Sequence, residues 1–90
     1  MAENSTMTIE ELKDCKLTVV FRTNGEDLTW LNTADMYLAW FAASDPTMWY
    51  DHNITEVEVS VDNGNKSWSY NDRDLCEEDF GLISDGLMPK

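Results

Sequence analysis

The sequence predicts an α+β domain: two antiparallel β-hairpins forming a four-stranded sheet, one main helix packed on its apolar face, and a short C-terminal helix. Three observations predict it. Two stretches of alternating apolar and polar residues run into Asn-Gly pairs, Asn24-Gly25 and Asn63-Gly64. Asn-Gly suits the tightest hairpin turn, in which both central residues need positive φ. Between the hairpins lies a mostly apolar run, residues 33–43, without proline or glycine. Finally, 90 residues suffice for one core, near the lower end of what folds alone.

The elements follow in order. Residues 1–90 read as a single acidic domain in which residues 1–7 form a flexible tail. Thr8 and Glu11 have capping-box spacing, which predicts a short helical turn over 9–14. Residues 16–22 alternate, with Leu17, Val19 and Phe21 on one face and Thr18, Val20 and Arg22 on the other. A two-residue loop at Asn24-Gly25 sets Phe21 opposite Leu28, Val19 opposite Trp30, and Arg22 opposite Asp27 as an ion pair. In the second hairpin Val57, Val59 and Val61 alternate with Glu56, Glu58 and Ser60. The same loop geometry pairs Val59 with Trp68, Val57 with Tyr70, Glu58 with Ser69, and Ser60 with Ser67. One face is apolar and the other polar, as in a sheet with one solvated side.

Asn32 or Thr33 can cap the central helix over residues 33–43, and Ser44-Asp45-Pro46 ends it, because the residue before proline avoids helical geometry. A surface helix ordinarily shows a polar face, and this one has none. Either residues 47–53, with Met48, Trp49 and Tyr50, wrap it, or its outer face docks on something. Met36, Tyr37, Trp40 and Phe41 are the candidate self-association residues. Asn71 or Asp72 can cap a last helix over 73–80 that turns Leu75, Cys76 and Phe80 inward. Gly81 and Gly86 leave the remainder irregular.

Charge bounds the function. Eighteen acidic residues against six basic ones give a formal net charge of -12. A magnitude of roughly 2 to 8 serves solubility in a small domain. The excess costs self-repulsion and argues against direct nucleic-acid or anionic-membrane binding. It favours a basic protein partner. No run approaches the ~20 apolar residues of a membrane span, and the polar start lacks a secretory pattern. A cytoplasmic location is expected, the host cytoplasm if the source is a virus. Cys15 and Cys76 are then expected as reduced thiols, and the glycosylation-type triplets at Asn4, Asn53 and Asn65 as unmodified.

Chemistry finds little support. His52, the one histidine, lies beside Asp51 without a nucleophile motif to complete a site. The cysteines form no Cys-x-x-Cys pair. The carboxylates of residues 72–79 do not match calcium-loop spacing. No phosphate-binding glycine loop or dinucleotide fingerprint occurs. No catalytic residue, metal or cofactor is nominated, and a non-enzymatic role is expected.

What remains is the carboxylate pattern. Glu56 and Glu58 would project about 6.6–6.8 Å apart along a strand, near the spacing of successive nucleic-acid phosphates. Asp72, Asp74, Glu77, Glu78 and Asp79 would extend that field. These seven are the candidate partner-binding acids. Trp49 and Tyr50 are the candidate aromatic anchors, joined by Trp68 and Tyr70 wherever these are exposed. The expected function is an acidic protein-binding inhibitor. It would be a nucleic-acid mimic from a phage or mobile element, occupying the basic nucleic-acid-binding surface of a host protein such as a restriction, CRISPR or repair factor. Compact acidic proteins serve mobile elements in this way, an analogy of class only. The alternative is a non-catalytic homo-oligomeric structural or adaptor protein, a homodimer in its simplest form.

Overall fold

Alternation of β-branched and polar residues makes the strands, and Asn-Gly turns the first hairpin. In a computed structural model, described over residues 8–62, 66–87 and 89, β1 (Leu17–Thr23) and β2 (Glu26–Thr33) flank Asn24-Gly25. Both turn residues have positive φ, 44° and 89°, the geometry that the dipeptide supplies at low steric cost. β3 (Glu56–Val61) and β4 (Ser67–Tyr70) form the second hairpin. The turn expected at Asn63-Gly64, like the tail expected over residues 1–7, falls outside the described residues. The sheet order is β2-β1-β3-β4, antiparallel throughout. The hairpins therefore join through their first strands, with Val19 opposite Val59 and Phe21 opposite Val57.

The second hairpin has the expected register, Val57 with Tyr70, Glu58 with Ser69, Val59 with Trp68 and Ser60 with Ser67. The first keeps Phe21 opposite Leu28 and Arg22 opposite Asp27. Val19, however, faces Leu31 rather than Trp30, because the register shifts between Val19 and Val20. A bulge of this kind inserts one residue into one strand. It brings Leu31 against the core and leaves the larger indole of Trp30 at the rim, 50% exposed and edge-on to Phe21 at 5.9 Å between ring centroids.

Among the described residues there are four helices. α1 (Ile9–Lys13) starts with the expected capping box, Thr8 and Glu11 exchanging backbone-to-side-chain bonds of 2.8 and 3.2 Å. α2 (Met36–Ala43) begins later than expected. Thr33 is still in β2, opposite Leu17, so the cap is Asp35, which accepts from the Tyr37 and Leu38 amides. A carboxylate there also complements the helix dipole. α3 (Pro46–Asp51) was not expected as a helix. Pro46 stops α2, but at the first helical position its missing N–H and fixed φ suit a new start, and Asp45 caps it by accepting from the Thr47 amide. Asn53, at φ 53°, closes α3, and the Ile54 amide donates to the Trp49 carbonyl.

α4 (Arg73–Ser84) is capped by Asp72 as expected but continues through Gly81. Gly86 ends it instead, at φ 86°, with the Leu87 amide donating to Leu82 and the Gly86 amide to Ile83. That is the paired pattern of a glycine-terminated helix. Leu75 is exposed rather than inward, and Ile83, beyond the expected end, takes the core position with Cys76.

α2 and α4 cover the valine face of the sheet. Leu12 of α1 and Met48 and Trp49 of α3 join the same core. Trp40 stands at its centre, with Trp68 edge-on at 5.1 Å. The Trp40 Nε1–H donates to Tyr70 Oη at 3.0 Å, and the Tyr70 hydroxyl donates to Asp79 Oδ2 at 2.7 Å. Among the described residues no helix covers the opposite face of the sheet, which carries Thr18, Val20, Arg22, Glu56, Glu58 and Ser60. The result is a small single α+β domain with helices on one side of a four-stranded antiparallel sheet.

Candidate functional site

Strand alternation dictates that Glu56 and Glu58 share the uncovered sheet face, and the neighbouring strands put Arg22 between them. Its Nη2 lies 2.8 Å from Glu58 Oε1, its Nε 3.1 Å from Asp27 Oδ1, and its Nη1 3.8 Å from Glu56 Oε1. The bond to Glu58, with the charges of Glu58, Asp27 and Glu56, holds the guanidinium above its ordinary pKa despite partial burial. One cation thus gathers three carboxylates, which remain in excess. Arg22→Gln should destabilise the domain by about 1–2 kcal/mol, since exposed pairs contribute up to about 1 kcal/mol each. The loss should shrink in high salt, which screens the freed repulsion. Urea unfolding at two salt concentrations checks this, and an equal loss in both would contradict the ion-pair account.

The α4 acids divide by role. Asp72 is the cap. Asp74 and Glu77 flank Arg73, at 3.5 and 3.2 Å from its guanidinium nitrogens. Asp79 accepts from Tyr70 and is half-buried. Glu78 is exposed and makes no ion pair among the described residues. These five sit in the helical layer, whereas Glu56 and Glu58 sit on the far side of the sheet. The seven candidate acids therefore form two patches, one on each layer.

The aromatic candidates need correction. Trp49 is 5% exposed, and its indole N–H donates to the Ala43 carbonyl at 2.7 Å. It closes the C-terminal end of α2 and is not available as an anchor. Trp68 and Tyr70 are buried as well. So are Met36 and Trp40, which removes both from the self-association set. The reason is shared: each points from its element into the one core, where large aromatics contribute most. Tyr50 is exposed, as are Tyr37, Leu38 and Phe41 along the outer side of α2. Residues 47–53 cover the C-terminal end of α2 but leave that outer side bare.

A feature not read from the sequence lies where α2 meets α4. A pocket of about 160 Å³ opens there, lined chiefly by Phe41, Asp45, Pro46, Arg73, Glu77 and Phe80. Phe41 and Phe80 meet edge-on at 6.1 Å. Arg73 Nε donates to the Ser44 carbonyl at 2.8 Å, satisfying the end of α2 and joining the two helices. The missing polar face of α2 was the available signal, but its pairing with α4 is tertiary.

The reactive side chains are dispersed. His52 is exposed at the end of α3. Cys15 and Cys76 are free thiols. Cys76 is fully buried, and burial, reinforced by the Asp79 charge, pushes its thiol up to about 12. Among the described residues no group of three or more His, Cys, Asp or Glu is placed to hold a metal ion. No described helix is long and apolar enough to cross a membrane. Fold and surface together define a class: an acidic two-layer domain with a carboxylate patch on each layer and an apolar groove between two helices. No family model matches the chain, nor does any curated protein or solved structure.

Proposed function

We propose that this chain is an acidic protein-binding inhibitor that mimics a nucleic acid, occupying the basic nucleic-acid-binding surface of a host protein on behalf of a phage or mobile element. One observation carries the reading. The carboxylates with structural duties outnumber the cations they surround: three gather around Arg22 and two around Arg73. An ordered domain at -12 offers a fixed field that steers and orients a basic partner. Patches on both layers suit a cleft or channel lined by lysine and arginine better than a flat surface. Within this proposal the chain acts without catalysis and does not itself bind nucleic acid.

The test is capture from bacterial lysate at physiological salt, with and without excess duplex DNA. A single nucleic-acid-binding protein displaced by DNA is expected. The combined Glu56→Lys, Asp74→Lys, Glu78→Lys variant should lose that partner, while single alanine substitutions should not, because the field is distributed. Undiminished capture by the triple variant would sink the proposal. A homodimeric adaptor is the second reading, favoured by the bare apolar side of α2. Sedimentation as a monomer at micromolar concentration would remove it.

A further inference from the structure

The outer side of α2 is anomalous in a domain this polar. Tyr37, Leu38 and Phe41 stand at the three- and four-residue spacings that share one helix face, and all are exposed, Phe41 at 62%. Phe80 of α4 extends this stripe through its edge contact with Phe41. The stripe runs into the pocket between the two helices, whose wall adds Pro46. The walls are therefore apolar at their centre and charged at their edge, the layout of an anchor pocket within a polar rim.

The charges at that edge decide what fits. Asp45 and Glu77 line the pocket alongside Arg73. The Arg73 guanidinium is already engaged by the Ser44 carbonyl, by Asp74 and by Glu77. With Asp74 beside it, the edge carries more carboxylate than guanidinium. A second copy of the chain is a poor occupant, because it would bring two charges of -12 together. The stripe of four side chains is also far below the roughly 20–30 residues a side that a stable interface uses.

We propose that this groove anchors a cationic amphipathic segment of the partner protein. An apolar side chain of that segment packs against Phe41 and Phe80, and flanking lysine or arginine side chains reach Asp45 and Glu77. The choice of a cationic occupant rests on the electrostatic reading above. The new element is a local anchor: the distributed charge steers, and the groove holds.

Three synthetic peptides of equal length test this by titration into the ¹⁵N-labelled full chain at physiological salt. One carries leucine and lysine at amphipathic helical spacing. The second keeps the lysines and replaces leucine by serine. The third keeps the leucines and replaces lysine by glutamine. The first should bind about tenfold more tightly than either other, shifting the amides of Phe41, Asp45, Glu77 and Phe80. Phe41→Ser, a change at an exposed position, should abolish the advantage of the first peptide while leaving the weak affinity for the second unchanged. Equal affinity for the first and second peptides would overturn the anchor and leave the electrostatic reading standing. Equal affinity for the first and third would overturn the cationic occupant. Binding of none would overturn both. A wild-type dimer dissolved by Phe41→Ser would give the groove to a second copy and end the proposal.

Discussion

Trp40→Ala is expected to cost about 3–5 kcal/mol, the range for deleting a large buried aromatic. A small domain has only about 5–15 kcal/mol in total, so the variant should be largely unfolded under mild denaturant. The indole is fully buried, packs edge-on against Trp68, and donates to Tyr70 Oη. Trp40→Phe separates packing from polarity. It keeps an aromatic ring but removes the donor, and should cost about half as much. Tyr70→Phe should cost about 1–3 kcal/mol, because it strands the Trp40 N–H and deprives Asp79 of its donor. The double Phe variant should cost less than the sum of its parts, since the two residues share one hydrogen-bonded chain. Trp68 supplies the contrast: its indole nitrogen is buried with no hydrogen-bond partner among the described residues, so Trp68→Phe should be the mildest of the three tryptophan changes. Urea unfolding of the set decides the matter. Strict additivity of Trp40→Phe and Tyr70→Phe would refute the coupled network.

How much of this was legible depends on the element. The second hairpin was legible in full register, because Val57, Val59 and Val61 alternate without interruption against Trp68 and Tyr70. The first was legible only near its turn. A bulge at Trp30 leaves no mark in a period-two pattern, since an inserted tryptophan looks like any other strand residue. The start of α2 was misplaced because Thr33 could serve as a cap or a strand end, and its pairing with Leu17 is a long-range fact. Pro46 carries two meanings, stop and start, and only the packing of Met48 and Trp49 selects the second. Gly81 reads as a breaker although it sits inside α4, where packing of Cys76 and Ile83 outweighs a propensity cost of about 1 kcal/mol.

The candidate surface was legible as residue types and not as a place. Charge count and strand alternation identify the acids. Their division between two layers follows from the β1–β3 pairing and from α4 crossing to the side of α2, neither of which has a local signature. The aromatics were harder still, because Trp49 and Tyr50 are neighbours in sequence and opposite in exposure. One turn of α3 sends the first into the core and the second to solvent. An acidic tail would have been a simpler way to carry charge; here carboxylates cap helices and bridge strands as part of the fold itself.

Alkaline pH should unfold this domain earlier than its carboxylate content suggests, and Cys76 should lead. Burial, then the Asp79 charge, pushes the Cys76 thiol up to about 12, with Glu77 in the same sense and Arg73 opposing. An unfolded cysteine ionises near 8.5. Below that value both states hold the proton, and the full stability is present. Between the two values the unfolded chain has released a proton that the folded chain keeps. Stability is then lost as pH rises, by about 1.4 kcal/mol per pH unit for each such proton. The loss continues until the folded pKa is passed. Tyr70 follows in the same direction, raised first by burial and then by its bond to Asp79, and it adds its share above the ordinary tyrosine value near 10. From pH 9 to 11 the domain should therefore lose roughly 3–4 kcal/mol. Cys76→Ala should cost stability at neutral pH through its small cavity, yet flatten the decline above pH 9 by one proton. Growing negative charge acts on both proteins alike and cancels in the comparison. A thiol reagent gives an independent reading: Cys15, half-exposed on the turn after α1, should react in the native state, and Cys76 only at the rate of unfolding. Parallel pH–stability curves for the wild type and Cys76→Ala would show that the buried thiol does not govern alkaline unfolding.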